Sequence, residues 1–181
     1  LGLNDSHEIL IVEMGMNHFG ELHNLSNIAN PTIGVITNIG TAHIGNLGSR
    51  ENILKAKLEI LDGMNNGSLI INNDNDLLHK WYEENKENIE NIEIHTFGIQ
   101  NKSDLNAENV QLREDGSEFV AVSTKQKLNI KVPVGGEHFV YNALCATQVG
   151  YNLGISNEKI IQGIAQFELT KKRMDITKLE N

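Results

Sequence analysis

Three short apolar runs rich in β-branched residues, separated by segments with helical spacing, limit what this chain can fold into more than any other feature. His7 to Met14 contains EILIVEM, Thr32 to Asn38 reads TIGVITN and Ser68 to Asn72 reads SLIIN. Runs this continuous suit strands of a parallel sheet covered on both faces, because a sheet with one wet face alternates instead. Helical patterns follow the strands at Glu21 to Ala29, Ser49 to Leu61 and Asp74 to Asn88, the first stopping before Pro31, where the α region is disfavoured. Strands alternating with helices predict right-handed crossovers and an α/β fold, a doubly wound, mostly parallel sheet flanked by helices.

The pattern changes after Phe97. Between about residues 105 and 134 it alternates, most plainly where Leu128, Ile130, Val132 and Val134 are set against Lys127, Asn129 and Lys131, and Asp115-Gly116 supplies a hairpin-type turn. This predicts a small antiparallel sub-sheet. Two helices follow, Glu137 to Leu153 and Ser156 to Phe167, the second opened by Ser156 as N-cap; a final strand is expected over Met174 to Leu179. The length of 181 residues suffices for one domain with a sizeable core, so 1–181 reads as a single compact unit.

Charge and cysteine usage narrow the partners. Fifteen Lys and Arg against 24 Asp and Glu give a formal charge of −9, which repels phosphate backbones and anionic lipid heads; neither nucleic acid nor membrane is expected as a partner. No stretch reaches the 18 or so consecutive apolar residues of a spanning helix, and the N-terminal segment lacks the basic start and cleavage site of a signal peptide. Cys145 alone forms no internal disulfide, and on a packed helix it reads as a small, inert hydrophobe in a reducing cytosol. The start at Leu1 and the stop at Lys178-Leu179-Glu180-Asn181 both read as cuts.

Ligands of open α/β sheets sit beyond the carboxyl ends of the strands. Glu13 closes the first expected strand, His43 lies five residues past Asn38 at the end of the second, and Lys57 is on the helix that follows. A carboxylate and a neutral imidazole are legitimate ligands of a divalent cation. Lys57, with an ordinary amine pKa of about 10.4, would repel one. Taken singly, the three read as a solvated charge, a hydrogen-bonded loop residue and a surface lysine. Trp81 and Tyr82 read as helix anchors, and Lys171-Lys172 as a solvated pair.

The surrounding text adds a resemblance to the Mur ligases over nearly the whole chain. VEMGMNHFGE (Val12 to Glu21) resembles the form found in the branch that adds D-alanyl-D-alanine, TNIGTAHIGNLGS (Thr37 to Ser49) the family's Asn-to-His stretch, and KAKLEIL (Lys55 to Leu61) its modified-lysine helix. IINNDND (Ile70 to Asp76), GEHFVYNALCA (Gly136 to Ala146) and LTKKRMDI (Leu169 to Ile176) follow in the family's order. The resemblance implies a central ATP- and magnesium-binding domain of a three-domain ligase. Its metal ligands would be Glu13, His43 and a carbamylated Lys57; Asn142, with His138 nearby, would meet adenine, and Arg173 the nucleotide phosphates. The family's His-Asn pair is here His138-Phe139. Asn17 and His18 would face the muramyl substrate, and Lys57, His43 and Arg173 would act in catalysis. Carbamylation requires a neutral amine, so such a site has to depress the lysine pKa.

The same resemblance implies the reaction. The terminal carboxylate of a UDP-N-acetylmuramoyl tripeptide attacks the γ-phosphate of ATP, and the amine of D-alanyl-D-alanine then attacks the acyl phosphate, in a bacterial cytoplasm. Gly45-Asn46-Leu47-Gly48 lacks the Lys-Ser/Thr ending of a phosphate loop, and G-x-x-x-x-G-K-[ST] occurs nowhere in the 181 residues. That loop, the uridine-binding N-terminal domain and the C-terminal domain of the same polypeptide are expected outside this chain, which alone should fold without turning over and keep Lys57 unmodified. The competing readings are a folate- or cyanophycin-type amide ligase, a non-catalytic nucleotide-binding or scaffold module, and a metal hydrolase using Glu13 and His43.

Overall fold

The computed structural model describes Gly2 and residues 4–168. In chain order its elements are α1 (Glu21–Ala29), β1 (Ile33–Ile36), α2 (Ile44–Leu47), α3 (Arg50–Leu58), a 3-10 helix (Glu59–Gly63), β2 (Gly67–Asn72), α4 (Asp76–Asn85), β3 (Ile92–Gly98), β4 (Leu105–Arg113), β5 (Gly116–Ser123), β6 (Lys127–Val132), α5 (Glu137–Asn152) and α6 (Asn157–Ala165). The six strands form a mostly parallel sheet with antiparallel pairs, ordered β1-β2-β3-β4-β5-β6 and flanked by helices. Where the sequence reads as one compact unit, the contacts gather into two: Leu1–Leu69 with Asn75–Ile94, and Ile70–Asp74 with His95–Asn181. The chain passes from one to the other inside β2 and inside β3, so a boundary falls where no linker composition marks it.

In the first unit, two helices start and a third stops on signals written in the sequence. Ser49 accepts from the Asn52 amide at 3.1 Å to cap α3, and Asn75 accepts from the Leu78 amide at 3.1 Å to cap α4. Helix α1 stops at Asn30, whose φ of 45° turns the chain into Pro31. Leu78 is the fully buried anchor of α4, with Trp81 and Tyr82 only half-buried. The 3-10 helix lies directly against α1. A Cβ on Gly63 would stand 2.1 Å from the Ser26 carbonyl oxygen, and Ser26 itself is fully buried. Its hydroxyl lies within donating distance of the carbonyls of His23 (3.1 Å) and Glu59 (3.0 Å) and shares its one proton between them.

The expected strand at His7 to Met14 does not form. The segment has no strand partner among the described residues, and Ile11 is 88% exposed. An all-apolar strand needs neighbours along both edges and a layer on each face, and neither is supplied to this run. Two elements without strong sequence signals are present: α2, and β3 at the point where the pattern changes.

The second unit contains the expected antiparallel sub-sheet. β4 pairs with β5 from Leu105↔Ser123 to Arg113↔Gly116, and β5 with β6 from Ser117↔Val132 to Val122↔Lys127. Leu128, Ile130 and Val132 are buried while Lys127, Asn129 and Lys131 face water, as the alternation required. The register shifts between Glu108 and Gln111, where Asn109 takes a φ of 54°. β3 joins β4 in parallel, Phe97 opposite Leu105. Ser156 caps α6 through the Lys159 amide at 3.4 Å. Cys145 is buried on α5, and burial pushes its thiol up to about 12. The strand expected over Met174 to Leu179 lies outside the described residues.

Asp74 ties the end of β2 to the turn after β3. Its carboxylate accepts the amides of Ile99 (2.5 Å), Gln100 (2.9 Å) and Asn101 (2.7 Å) and the Tyr141 hydroxyl (2.9 Å). Partial burial acts to raise its pKa, but these donors outweigh it and hold the carboxyl below its ordinary value, while burial and Asp74 together push the Tyr141 phenol up.

Two outcomes follow from these contacts. Gly63→Ala is expected to lose about 3 kcal/mol, because the obstacle is backbone and cannot rotate away; urea unfolding measures it, and a loss within error of zero would contradict the close approach. Asp74→Asn turns an amide NH2 toward backbone N–H groups and should destabilise by about 2 kcal/mol. Because the folded pKa of Asp74 is depressed, its contribution is complete above the unfolded value of about 3.9 and disappears as pH falls through the lower folded value. The parent–variant stability gap should therefore close in that acid range, and a gap constant with pH would contradict the assignment.

Candidate functional site

The residues singled out from the sequence fall in both units. In the first, Glu13 sits in the exposed non-strand segment and so ends no strand, contrary to expectation. Met16, three residues on, is buried and anchors the following loop. Asn17 and His18 belong to that loop, and Glu21 in the first turn of α1 holds them. Its carboxylate accepts the Asn17 amide at 2.6 Å and the His18 amide at 3.3 Å, and its Oε1 lies 3.2 Å from His18 Nδ1. The hydrogen bond from the Asn17 amide, followed by those from His18, lowers the Glu21 pKa.

His43 stands at the start of α2 with φ of 64°, a left-handed conformation uncommon for a residue with a side chain. Its imidazole is exposed, and its carbonyl accepts the amides of Asn46 and Leu47. The segment leading to it is pinned at Ile39, whose carbonyl accepts from Arg50 Nη2 (2.9 Å) and Asn75 Nδ2 (3.3 Å), and at Asn38, whose Oδ1 accepts from Asn75 Nδ2 at 2.8 Å. Arg50 in turn pairs with Asp76. The TNIG stretch is thus held by the starts of α3 and α4.

Lys57 lies half-buried in the last turn of α3, and desolvation alone lowers its amine pKa. The donor chemistry fits a divalent cation conditionally: Glu13 and His43 are ordinary ligands, whereas Lys57 becomes an oxygen donor only after conversion to a carbamate. Among the described residues, no group of three or more His, Cys, Asp or Glu side chains is placed to hold a metal ion. Glu59, which the sequence did not single out, accepts the Gly20 amide through both oxygens (2.8 and 3.0 Å) and the His23 amide at 3.1 Å. His23 Nδ1 lies 2.8 Å from Asp62.

In the second unit, Asn142 stands on the exposed side of α5 and borders a cleft of about 300 Å³. The cleft is otherwise apolar, lined by Val132, Phe139, Ala143, Ile164 and Phe167 among others. The Phe139 and Phe167 rings are 5.9 Å apart, and the His138 ring, tilted by 41°, packs against Phe139 at 4.0 Å without lining the cleft. Flat apolar walls with a single amide suit a planar, hydrogen-bonding ring. Arg173 and Lys171-Lys172 lie outside the described residues.

Residues 2–150 match the family model described as the Mur ligase middle domain. A curated UDP-N-acetylmuramoyl-tripeptide–D-alanyl-D-alanine ligase of Bacillus subtilis (strain 168) is 35% identical over 182 residues, covering 100% of this chain and 38% of the relative. A crystal structure of MurF from Acinetobacter baumannii superposes with a TM-score of 0.87 at 32% identity, over 97% of this chain and 38% of that one. The MurF ligase of Thermotoga maritima in complex with ADP has a TM-score of 0.73 at 21% identity, over 90% and 36%. The chain therefore spans well under half the length of these relatives. Among the described residues, no helix is long and apolar enough to cross a membrane.

Desolvation of Lys57 makes its amine lose its proton at lower pH than an exposed lysine, near 10.4. After reductive methylation with a 13C label, one dimethyl-lysine signal should titrate ahead of the others and be missing from Lys57→Arg. Titration of that signal together with the rest would show the amine to be fully solvated.

Proposed function

We propose that this chain, which belongs to the Mur ligase family, is the central ATP- and magnesium-binding domain of a three-domain cytoplasmic ligase that joins D-alanyl-D-alanine to a UDP-N-acetylmuramoyl tripeptide. Identity of 35% to a ligase of that name over the whole of this chain, which is 38% of that relative, supports this substrate pair, and VEMGMNHFGE is where the branch-specific resemblance is concentrated. The remaining domains of the polypeptide would hold the uridine end, the phosphates and the incoming dipeptide.

The observation that carries the nucleotide reading is the cleft on α5. Phe139 and Phe167 offer apolar surface to an adenine ring, and Asn142 offers a donor and an acceptor for its edge. In the first unit, Asn17 and His18 would meet the muramyl peptide. Their backbone is already held by Glu21, which lowers the ordering required on binding. Glu13, His43 and Lys57 as its carbamate would hold magnesium, which when bound neutralises charge on the transferring phosphate. The depressed Lys57 amine favours the neutral form that carbon dioxide needs. Arg173 would add a planar, permanently charged contact to phosphate oxygens.

The reaction so assembled is attack of the tripeptide carboxylate on the γ-phosphate of ATP, followed by aminolysis of the acyl phosphate. Positioning and electrostatics carry both steps, and no side chain serves as nucleophile. The chain by itself is expected not to turn over.

The test uses the longer polypeptide that includes this segment. ATP-dependent joining of the dipeptide to the UDP-muramyl tripeptide is expected, and Lys57→Ala should abolish it while leaving ATP affinity within about threefold. Asn142→Ala should weaken ATP binding about tenfold through loss of one or two hydrogen bonds, read by calorimetry. Ligation that survives Lys57→Ala would defeat the assignment of that lysine. Unchanged ATP affinity in Asn142→Ala would defeat the adenine site.

A further inference from the structure

Helix α1 begins without a cap of its own. Gly20 stands at its N-terminus with φ of 83° and has no side chain to offer. The Glu59 carboxylate takes that place from 39 residues further along, accepting Gly20 N–H through both oxygens and His23 N–H through Oε2. The backbone carbonyl of the same residue accepts the buried Ser26 hydroxyl at 3.0 Å. One residue thus holds two successive turns of α1. It stands two positions after Lys57, at the start of the 3-10 helix that continues α3, and Gly20 is two positions after His18.

We infer that Glu59 is a positioning residue: its carboxylate fixes the backbone entering α1, and with it the Asn17–Gly20 loop, to the element that carries Lys57. The muramyl-peptide contact and the lysine then keep one spacing. Their roles rest on the proposed function, whereas the clamp rests on geometry alone. Both carboxylate oxygens face N–H donors, so a glutamine would aim its NH2 at one of them. An aspartate would keep the charge but fall one methylene short.

Two measurements separate the clamp from the reading above it. In this chain, amide hydrogen exchange at Gly20 and His23 should quicken about tenfold in Glu59→Gln and in Glu59→Asp, with Ile53 and Leu69 unchanged. Parental exchange at Gly20 and His23 in both variants, or equal quickening of the core amides in both, would overturn the clamp. In the longer ligase, Glu59→Gln should raise KM for the UDP-muramyl tripeptide about tenfold while KM for ATP stays put, as expected for loss of one charge-assisted contact. If the parent ligates and the variant keeps both KM values, or loses both alike, the positioning role is overturned. If the exchange result appears but the parent does not ligate, the proposed function fails and the clamp stands.

Discussion

The first unit depends on one backbone approach, the 3-10 helix laid against α1 so closely that Gly63 has no room for a methyl group beside Ser26. Interiors are packed nearly as densely as organic crystals, and a contact between two backbones is the least adjustable kind. Around it, the Ser26 hydroxyl shares its proton between two carbonyls, Glu59 closes the open end of α1, and His23 reaches Asp62. Directly upstream of these contacts lie the Asn17–His18 loop on one side and Lys57 on the other. Neither segment could shift far without straining the part-buried bonds that Gly20 and Ser26 make to Glu59.

Much of the fold was legible because its signals are local. The start of α6 was written in Ser156, the stop of α1 in Pro31, and the inward face of β6 in a strict alternation. What failed was local as well, but incomplete: the run at His7 to Met14 has the composition of a buried strand, yet composition cannot supply the neighbours a strand needs. β3 was overlooked because its alternation runs only from Ile92 to His95 before two consecutive buried residues, Thr96 and Phe97, break it, and α2 because four residues hold too little periodicity to read.

The candidate site divides along a similar line. Glu13, His43, Lys57 and Asn142 came into view through the motifs around them, and the half-buried setting of Lys57 lowers its amine pKa. Glu59 and Asp74 did not come into view, although both stand inside quoted motifs. Each serves amides that lie 25 to 39 positions away, and no spacing rule reaches that far. Their carboxylates replace the caps and turns that shorter-range residues normally provide, so in the sequence they look like solvated charges.

Cys145 is silent in a way that has its own use. Enclosed on α5, with its thiol pushed up to about 12, it carries almost no thiolate at neutral pH, and the thiolate is the form that reacts. Alkylating dyes should therefore react with this buried thiol far more slowly than with an exposed cysteine. A single cysteine placed on the exposed His18–Phe19 loop would take a fluorophore selectively, and the surroundings of that loop could be read without first rebuilding the core.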